Sequence, residues 1–241
     1  MKEDNVEEYY NNFFTQKENV QVNERIYFCF TQMKRLGLSA ASTVLELGCG
    51  PGALTWLVSK KLKKGIAEAV DLSSYAVKFA QEHINQKNVF IYQGDITVYK
   101  PRHAASFDFI TLFDIIEHIP LQQHEALFKN ISAVMHAQSL LLINVPNPRY
   151  IEYDRIHQPG SLQIIDQPVY INHLNDIFTK HGLLIHEMKT HSVWVKDDYQ
   201  FYVLTRKNEF EEIKLSSGRN IIQKILARVK HAYLTYILRY P

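Results

Sequence analysis

The sequence predicts an α/β fold: a doubly wound sheet of about seven strands, the last of them antiparallel, with helices added at both ends. Three observations predict it. Short apolar runs alternate with helical segments from residue 43 to residue 145, the sign of parallel strands joined by crossover helices. The first run leads straight into a glycine turn that opens a helix. The last two runs lie too close together for a crossover and so form a hairpin.

The elements follow in order. Gln21 to Leu38 spaces Val22, Ile26, Tyr27, Cys29, Phe30 and Met33 along one helix face and stops near Gly37. Tyr9, Tyr10, Phe13 and Phe14 precede it, as either a lid or a docking stripe, and residues 1–38 read as a helical cap. Residues 39–207 then read as the core. Strands are expected at Thr43–Leu47, Ile66–Val70, Val89–Tyr92, Phe107–Leu112 and Ser139–Val145. The helices between them are expected at Leu54–Leu62, from Ser73 or Ser74 to Ile84, and at Gln122–Met135. Pro146, Pro148, Pro159 and Pro168 mark a loop-rich insertion around 146–170. A helix at Ile171–His181 follows, then strands at Leu183–Lys189 and Tyr199–Thr205.

Composition bounds the function. With 241 residues, 46% apolar, nine glycines and eight prolines, the chain can bury a sizeable core and is not of a disordered or collagenous class. A formal net charge of +2 is too small for a surface built to hold nucleic acid. The charge is uneven, because residues 219–241 carry five basic residues and no acid. Only Cys29 and Cys49 are present, so no disulfide framework is expected. The acidic start lacks the apolar region of a secretory signal, and no apolar run approaches the ~20 residues that span a bilayer. A soluble protein of the cytoplasm is the expectation, peripheral to a membrane at most.

The informative segment is Glu46-Leu-Gly48-Cys-Gly50-Pro-Gly52. Glycines there permit positive φ and a close ligand, and the following helix N-terminus offers free N–H groups. Gly48, Gly50 and Ala53 also satisfy the looser dinucleotide fingerprint, so a nicotinamide cofactor stays open on the glycines alone. The acids favour something else. Glu46 before the turn would repel a pyrophosphate and attract an ammonium. Asp71, ending the second strand, can accept from ribose hydroxyls, and Asp95, after the third, from an exocyclic amine. Three acids at successive strand ends suit a cationic amino-acid nucleoside.

In these residues, and over roughly 40 to 206, the chain resembles the class I S-adenosylmethionine-dependent methyltransferases, whose fold is Rossmann-like. The resemblance implies S-adenosylmethionine as cofactor and S-adenosylhomocysteine as product. It assigns Glu46, Gly48, Gly50 and Gly52 to the methionine end and Asp71 with Leu72 to the ribose. Asp95 and Ile96 fall beside the adenine, and Phe113 completes the cofactor set. Arg25 is a candidate partner for the methionine carboxylate. Asp114-Ile-Ile-Glu117-His118 looks like the Glu-His segment of small-molecule methyltransferases of quinone biosynthesis and sugar tailoring.

Methyl transfer from a sulfonium needs alignment, exclusion of water and, for a hydroxyl acceptor, a base. His118 is the candidate base. His157, in the insertion with Tyr150, Tyr153, Asp154 and Arg155, is a second catalytic candidate that could hold a sugar or an aromatic ring. Asp114, Glu117 and His118, at i, i+3 and i+4, could face one side and hold a divalent ion, but no metal is assigned. The expected function is methyl transfer to a small molecule or glycan, most readily at oxygen. The alternatives are a non-catalytic member of the same fold and, below it, a nicotinamide oxidoreductase. Residues 208–241 read as a basic amphipathic helix whose apolar side must cover the domain, a homodimer mate or a membrane surface.

Overall fold

The computed structural model describes residues 3–15, 21–209 and 220–233, with side chains from residue 6 onward. The chain divides into two units, Met1–Lys207 and Asn208–Pro241. In the first, β1 (Thr43–Leu47), β2 (Ile66–Asp71), β3 (Val89–Gln93), β4 (Phe107–Phe113), β5 (Met135–Pro146), β6 (Leu183–His191) and β7 (Tyr199–Arg206) form one sheet. Its order is β3-β2-β1-β4-β5-β7-β6. The pairs β3–β2, β2–β1, β1–β4 and β4–β5 are parallel, whereas β7 runs antiparallel to both neighbours. This is the Rossmann-like sheet expected from the sequence, with its strand reversal at β7.

The strands read as continuous apolar runs because both faces are covered. Alternate residues go to opposite sides. Leu45, Ile110, Leu112, Leu141, Ile143 and Leu204 belong to one buried cluster. It is completed by Leu127, Phe128 and Ile131 of α5 (His124–Ala133) and by Leu174 and Phe178 of α7 (Ile171–Lys180). Their neighbours Val44, Phe109, Leu142 and Val203 face the other way. There they meet Met33 of α2 (Glu24–Arg35) and Leu54 and Val58 of α3 (Ala53–Lys61). A further buried group joins Ala69 and Ile91 to Val77 and Ala80 of α4 (Ser74–His83).

The ends of α2 are set by local chemistry. Asn23 accepts from the Ile26 N–H at 2.9 Å, so the helix starts there and not at Gln21. Gly37 takes φ +102°, and Leu38 N–H returns to Met33 O at 2.9 Å, a left-handed stop. One expectation needs correction: the proline-punctuated stretch after β5 contains a helix, α6 (Pro148–His157). Asn147 caps it, accepting from Arg149 N–H at 3.1 Å, and a proline at the first helical position is preorganised for a helix. The cap also contains a separate helix, α1 (Glu3–Thr15).

In the second unit α8 (Ile221–Ala232) opens with a reciprocal capping box between Asn220 and Gln223. Its Ile221, Ile222, Ile225, Leu226 and Val229 are exposed. No helix among the described residues is long and apolar enough to cross a membrane. The rest of the expected C-terminal segment, 208–241, lies partly outside the described residues.

Phe128 is fully buried and meets Phe178 edge to face at 4.9 Å between centroids. Phe128→Ala is expected to cost about 3–5 kcal/mol in urea unfolding. A loss below about 1 kcal/mol would contradict this packing.

Candidate functional site

The turn between β1 and α3 is built on three glycines at positive φ, Gly48 at 82°, Gly50 at 50° and Gly52 at 87°, a region that side chains rarely adopt. A Cβ on Gly48 would stand 1.9 Å from Ile115 Cδ1. Backbone and carboxylate hold the turn from below. Gly48 N–H and Cys49 N–H donate to Val70 O at 2.7 and 3.0 Å, and Gly50 N–H donates to Asp71 Oδ2 at 2.6 Å. The other oxygen of Asp71 accepts from Ser73 N–H at 2.9 Å, and Ser73 caps α4. One carboxylate therefore ties together two strand-to-helix turns.

Glu46, on β1, is buried and accepts from the Thr55 hydroxyl at 2.6 Å. Burial raises its carboxyl to about 8, against the Thr55 bond. Asp71 is also raised by burial, with its backbone N–H bonds opposing. Asp95 accepts from both Thr97 N–H and the Thr97 hydroxyl at 2.8 Å, which aims the loop after β3. Glu46, Asp71, Leu72, Asp95 and Ile96 all line one cavity of about 950 Å³ over the glycine turn, and Gly48 and Gly50 form its floor.

The first helix forms one wall of this cavity. Asn11 of α1 accepts from the Ser73 hydroxyl at 2.6 Å and from Tyr75 N–H at 3.2 Å, and Gln93 donates to Glu7 at 2.8 Å. These bonds place Tyr10, Phe13 and Phe14 in the cavity wall, with Phe14 Cζ 3.3 Å from where a Gly50 Cβ would stand. Three of the four aromatics, Tyr10, Phe13 and Phe14, thus line the cavity, and Tyr9 does not.

Across the cavity, charge is buried in pairs. Arg25 lies 2.9 Å from Asp114 Oδ2 and donates to the Tyr199 hydroxyl at 2.9 Å. Its guanidinium also faces the Trp194 ring at 5.3 Å. Burial works against the Arg25 charge, but Asp114 and Tyr199 more than offset it and raise its pKa. Asp114 sits at φ +59°, a left-handed residue closing β4 and a strain found often at functional sites. His118 Nδ1 meets Ile165 O at 2.6 Å and Asp166 Oδ1 at 2.9 Å, and its Nε2 lies 3.8 Å from Glu117. Burial would lower the His118 pKa, but Glu117 and Asp166 raise it to about 9. Burial likewise lifts Glu117 to about 8, against His118.

The expected site residues separate accordingly. Arg25, Phe113 and His118 line the cavity with the acids and two of the glycines. Gly52 caps α3 without lining it, and its tight place is against α4, where a Cβ would meet Ala80 Cβ at 2.9 Å. His118 lines the cavity with its Nδ1 turned to Ile165 O and Asp166, and Glu117 and Asp166 favour its charged form. His157 sits on the outer side of α6, exposed and stacked on Tyr153 at 4.2 Å, and does not line the cavity. From α6 it is Tyr150, Ile151 and Asp154 that line the cavity instead. Asp114 pairs with Arg25 and does not join Glu117 and His118. Among the described residues no group of three or more His, Cys, Asp or Glu could hold a metal ion.

Sequence reasoning missed Tyr199, Trp194 and Asp166. Each comes from a segment remote in sequence from the glycine turn, and no spacing marks it.

Asp71→Ala is expected to destabilise the unit as well as weaken any ligand over the turn. The cost is about 1–3 kcal/mol for each buried N–H left without a partner, in urea unfolding. Unchanged stability would show that the carboxylate does not hold the two turns.

Residues 44–138 match the family model described as "Methyltransferase domain". The chain is 24% identical over 223 residues to an (S)-coclaurine N-methyltransferase of Papaver somniferum, covering 85% of this chain and 61% of that protein. It is 30% identical over 111 residues to a ubiquinone biosynthesis O-methyltransferase of Coxiella burnetii, covering 46% of each. Such alignments span 36% to 61% of the length of these curated relatives. The fold is that of magnesium protoporphyrin IX methyltransferase from Synechocystis PCC 6803, solved with bound S-adenosylhomocysteine. The TM-score is 0.66 at 15% identity, covering 85% of this chain and 99% of that one.

Proposed function

As the chain belongs to the class I S-adenosylmethionine-dependent methyltransferases, we propose that it transfers a methyl group from S-adenosylmethionine to a small molecule admitted to the cavity over the glycine turn. The observation that carries this reading is that Glu46 and Asp71 end adjacent strands on either side of that turn and line one cavity.

The donor set fits the cofactor. A buried carboxylate at the end of β1 suits an ammonium, and backbone without side chains at Gly48 and Gly50 in the cavity floor suits close approach of a ligand. Asp71 keeps lone pairs for hydroxyls after serving two N–H groups. Asp95, with Ile96, can take the amine edge of a base. When bound, S-adenosylmethionine supplies an electrophilic methyl group on sulfonium sulfur. The protein's own work is to hold, align and dry the site. The α1 lid excludes water, and the Arg25–Asp114 pair fixes the end of β4 and leaves Arg25 able to share its charge with a ligand carboxylate. The His118 imidazolium fastens the 161–167 loop to the turn after β4. The glycan acceptor expected around Tyr153 and His157 finds less support, because both side chains are turned away from the cavity.

Two outcomes test this. Free Glu46 keeps its proton up to about pH 8, and an arriving ammonium favours the carboxylate. Binding should therefore release a proton. S-adenosylhomocysteine affinity is expected to rise with pH below about 8, by at most ~10-fold per unit, and then to level off. Glu46→Gln should weaken binding and flatten the profile. Calorimetry in buffers of different ionisation enthalpy measures both, and no binding of S-adenosylhomocysteine, or tighter binding of NAD, would refute the cofactor assignment. A protein that binds it but never turns over with any acceptor would be the non-catalytic alternative.

The second unit bears on location. At about 100° per residue, the apolar side chains of α8 and Tyr233 fall within an arc of about 140°. Lys224, Arg228, Lys230 and His231 lie on the remainder, with no acid. Such a helix suits an anionic lipid surface, at about 1 kcal/mol per basic residue. Deleting residues 208–241 is expected to leave S-adenosylhomocysteine affinity within threefold and to abolish co-sedimentation with phosphatidylglycerol vesicles at low salt. Retained co-sedimentation, or a shift from dimer to monomer on deletion, would contradict it.

A further inference from the structure

The acceptor end of the cavity is short of positive charge. Four carboxylates, Asp114, Glu117, Asp154 and Asp166, line it against two cations, Arg25 and His118. Asp114 takes Arg25 at 2.9 Å and Asp166 takes His118 at 2.9 Å. Glu117 is left with the distant nitrogen of a shared imidazolium at 3.8 Å. Its side chain is 1% exposed and its Oε2 has no hydrogen-bond partner. Asp154, 5% exposed, accepts a long bond from the Ser161 hydroxyl at 3.4 Å on one oxygen and also faces the Tyr150 hydroxyl.

A buried carboxylate without a partner is costly unless a proton or a cation neutralises it. Thr111, Asn144 and Tyr10 also carry unpartnered polar atoms but bring no charge, and Arg25 Nε, without a hydrogen bond, faces Asp114 at 2.9 Å. The walls beside them are aromatic, with Tyr10, Phe113, Tyr150 and Tyr199 lining the same space, and such rings hold cations over their faces. An alcohol or phenol would bring no charge to this place, and a carboxylic acid would add to the excess.

Building on the methyltransferase reading, we propose that the methyl acceptor is an amine, which enters as its ammonium ion against Glu117 and gives that carboxylate a proton before its nitrogen is methylated. Glu117 is suited to the task because its affinity for a proton, raised by burial to about 8, lies near the working pH. The balance is direct. The ammonium loses one proton to Glu117, and the freed nitrogen lone pair forms the new N–C bond. The C–S bond breaks with its electron pair left on sulfur, and the methylated ammonium departs. Glu117 then passes its proton to solvent. Asp154 adds negative potential to the cavity without touching the reacting atoms.

The test uses the full chain saturated with S-adenosylhomocysteine, and amines paired with their isosteric alcohols, such as phenethylamine with phenethyl alcohol and benzylamine with benzyl alcohol. Calorimetry is expected to give each amine at least tenfold tighter binding than its alcohol. Glu117→Gln should reduce that ratio below threefold while S-adenosylhomocysteine affinity stays within threefold of wild type. Asp154→Asn should reduce it less. With S-adenosylmethionine, mass spectrometry should find the amine, and not the alcohol, heavier by one methyl group in place of hydrogen. A wild-type ratio below threefold in every pair, or methylation of the alcohols only, would overturn the amine assignment while leaving the cofactor reading intact. Failure of S-adenosylhomocysteine to bind would overturn both.

Discussion

The site rests on one buried carboxylate. Asp71 receives Gly50 N–H on one oxygen and Ser73 N–H on the other. This couples the turn after β1 to the turn after β2. The glycine turn needs that support, because three positive φ angles in five residues form a conformation with little propensity of its own. Once it is fixed, α3 and α4 start at set positions, Ser73 is placed to meet Asn11 of α1, and the lid aromatics come to rest over the glycines. A single ionisable group thus links the sheet to the cavity roof.

A second constraint is electrostatic. The cavity gathers acids from the ends of β1, β2 and β4, from the loop after β3, and from the insertion after β5. Two internal cations offset them only in part. The protein meets the excess in three ways: a proton held on Glu46, which burial pushes up to about 8; ion pairs at Asp114 and Asp166; and space for a cationic ligand. The cavity is therefore prepared for positive charge at both ends, a property of donor geometry that remains when the cofactor is left aside. His118 serves the arrangement as a post. Its Nδ1 binds the 161–167 loop, and Gln163 N–H donates to the same Asp166 at 2.6 Å, so the wall of the acceptor region is tied to the turn after β4.

Much of this was legible in the sequence. Glu46, Asp71 and Asp95 stand at successive strand ends, and Gly48 and Gly50 lie close together in the chain, so this wall of the cavity could be read from order and spacing. The hairpin of β6 and β7 followed from the short gap between them. The acceptor side was not legible. Arg25, Asp114, Tyr199 and Asp166 come together from four distant segments, and no periodicity marks their meeting. His118 follows β4, and its charged form is favoured by Glu117 beside it and by Asp166, 48 positions further on, which no spacing marks. The helix at Pro148–His157 was hidden by the prolines at its start and on either side, although Asn147-Pro148 is itself a helix-start signal. Its register, which turns Asp154 inward and His157 outward, decides which of them can meet a ligand.

The central claim is that the cavity over the glycine turn holds an amino-acid nucleoside between Glu46 and Asp71. The most direct measurement is a crystal structure of the protein grown with S-adenosylhomocysteine. The account predicts the ligand's amino group within hydrogen-bond distance of Glu46, its ribose hydroxyls on Asp71 and its base beside Asp95 and Ile96, beneath Tyr10 and Phe14. A ligand bound elsewhere, or with its base at Glu46 and its amino-acid end at Asp95, would contradict it.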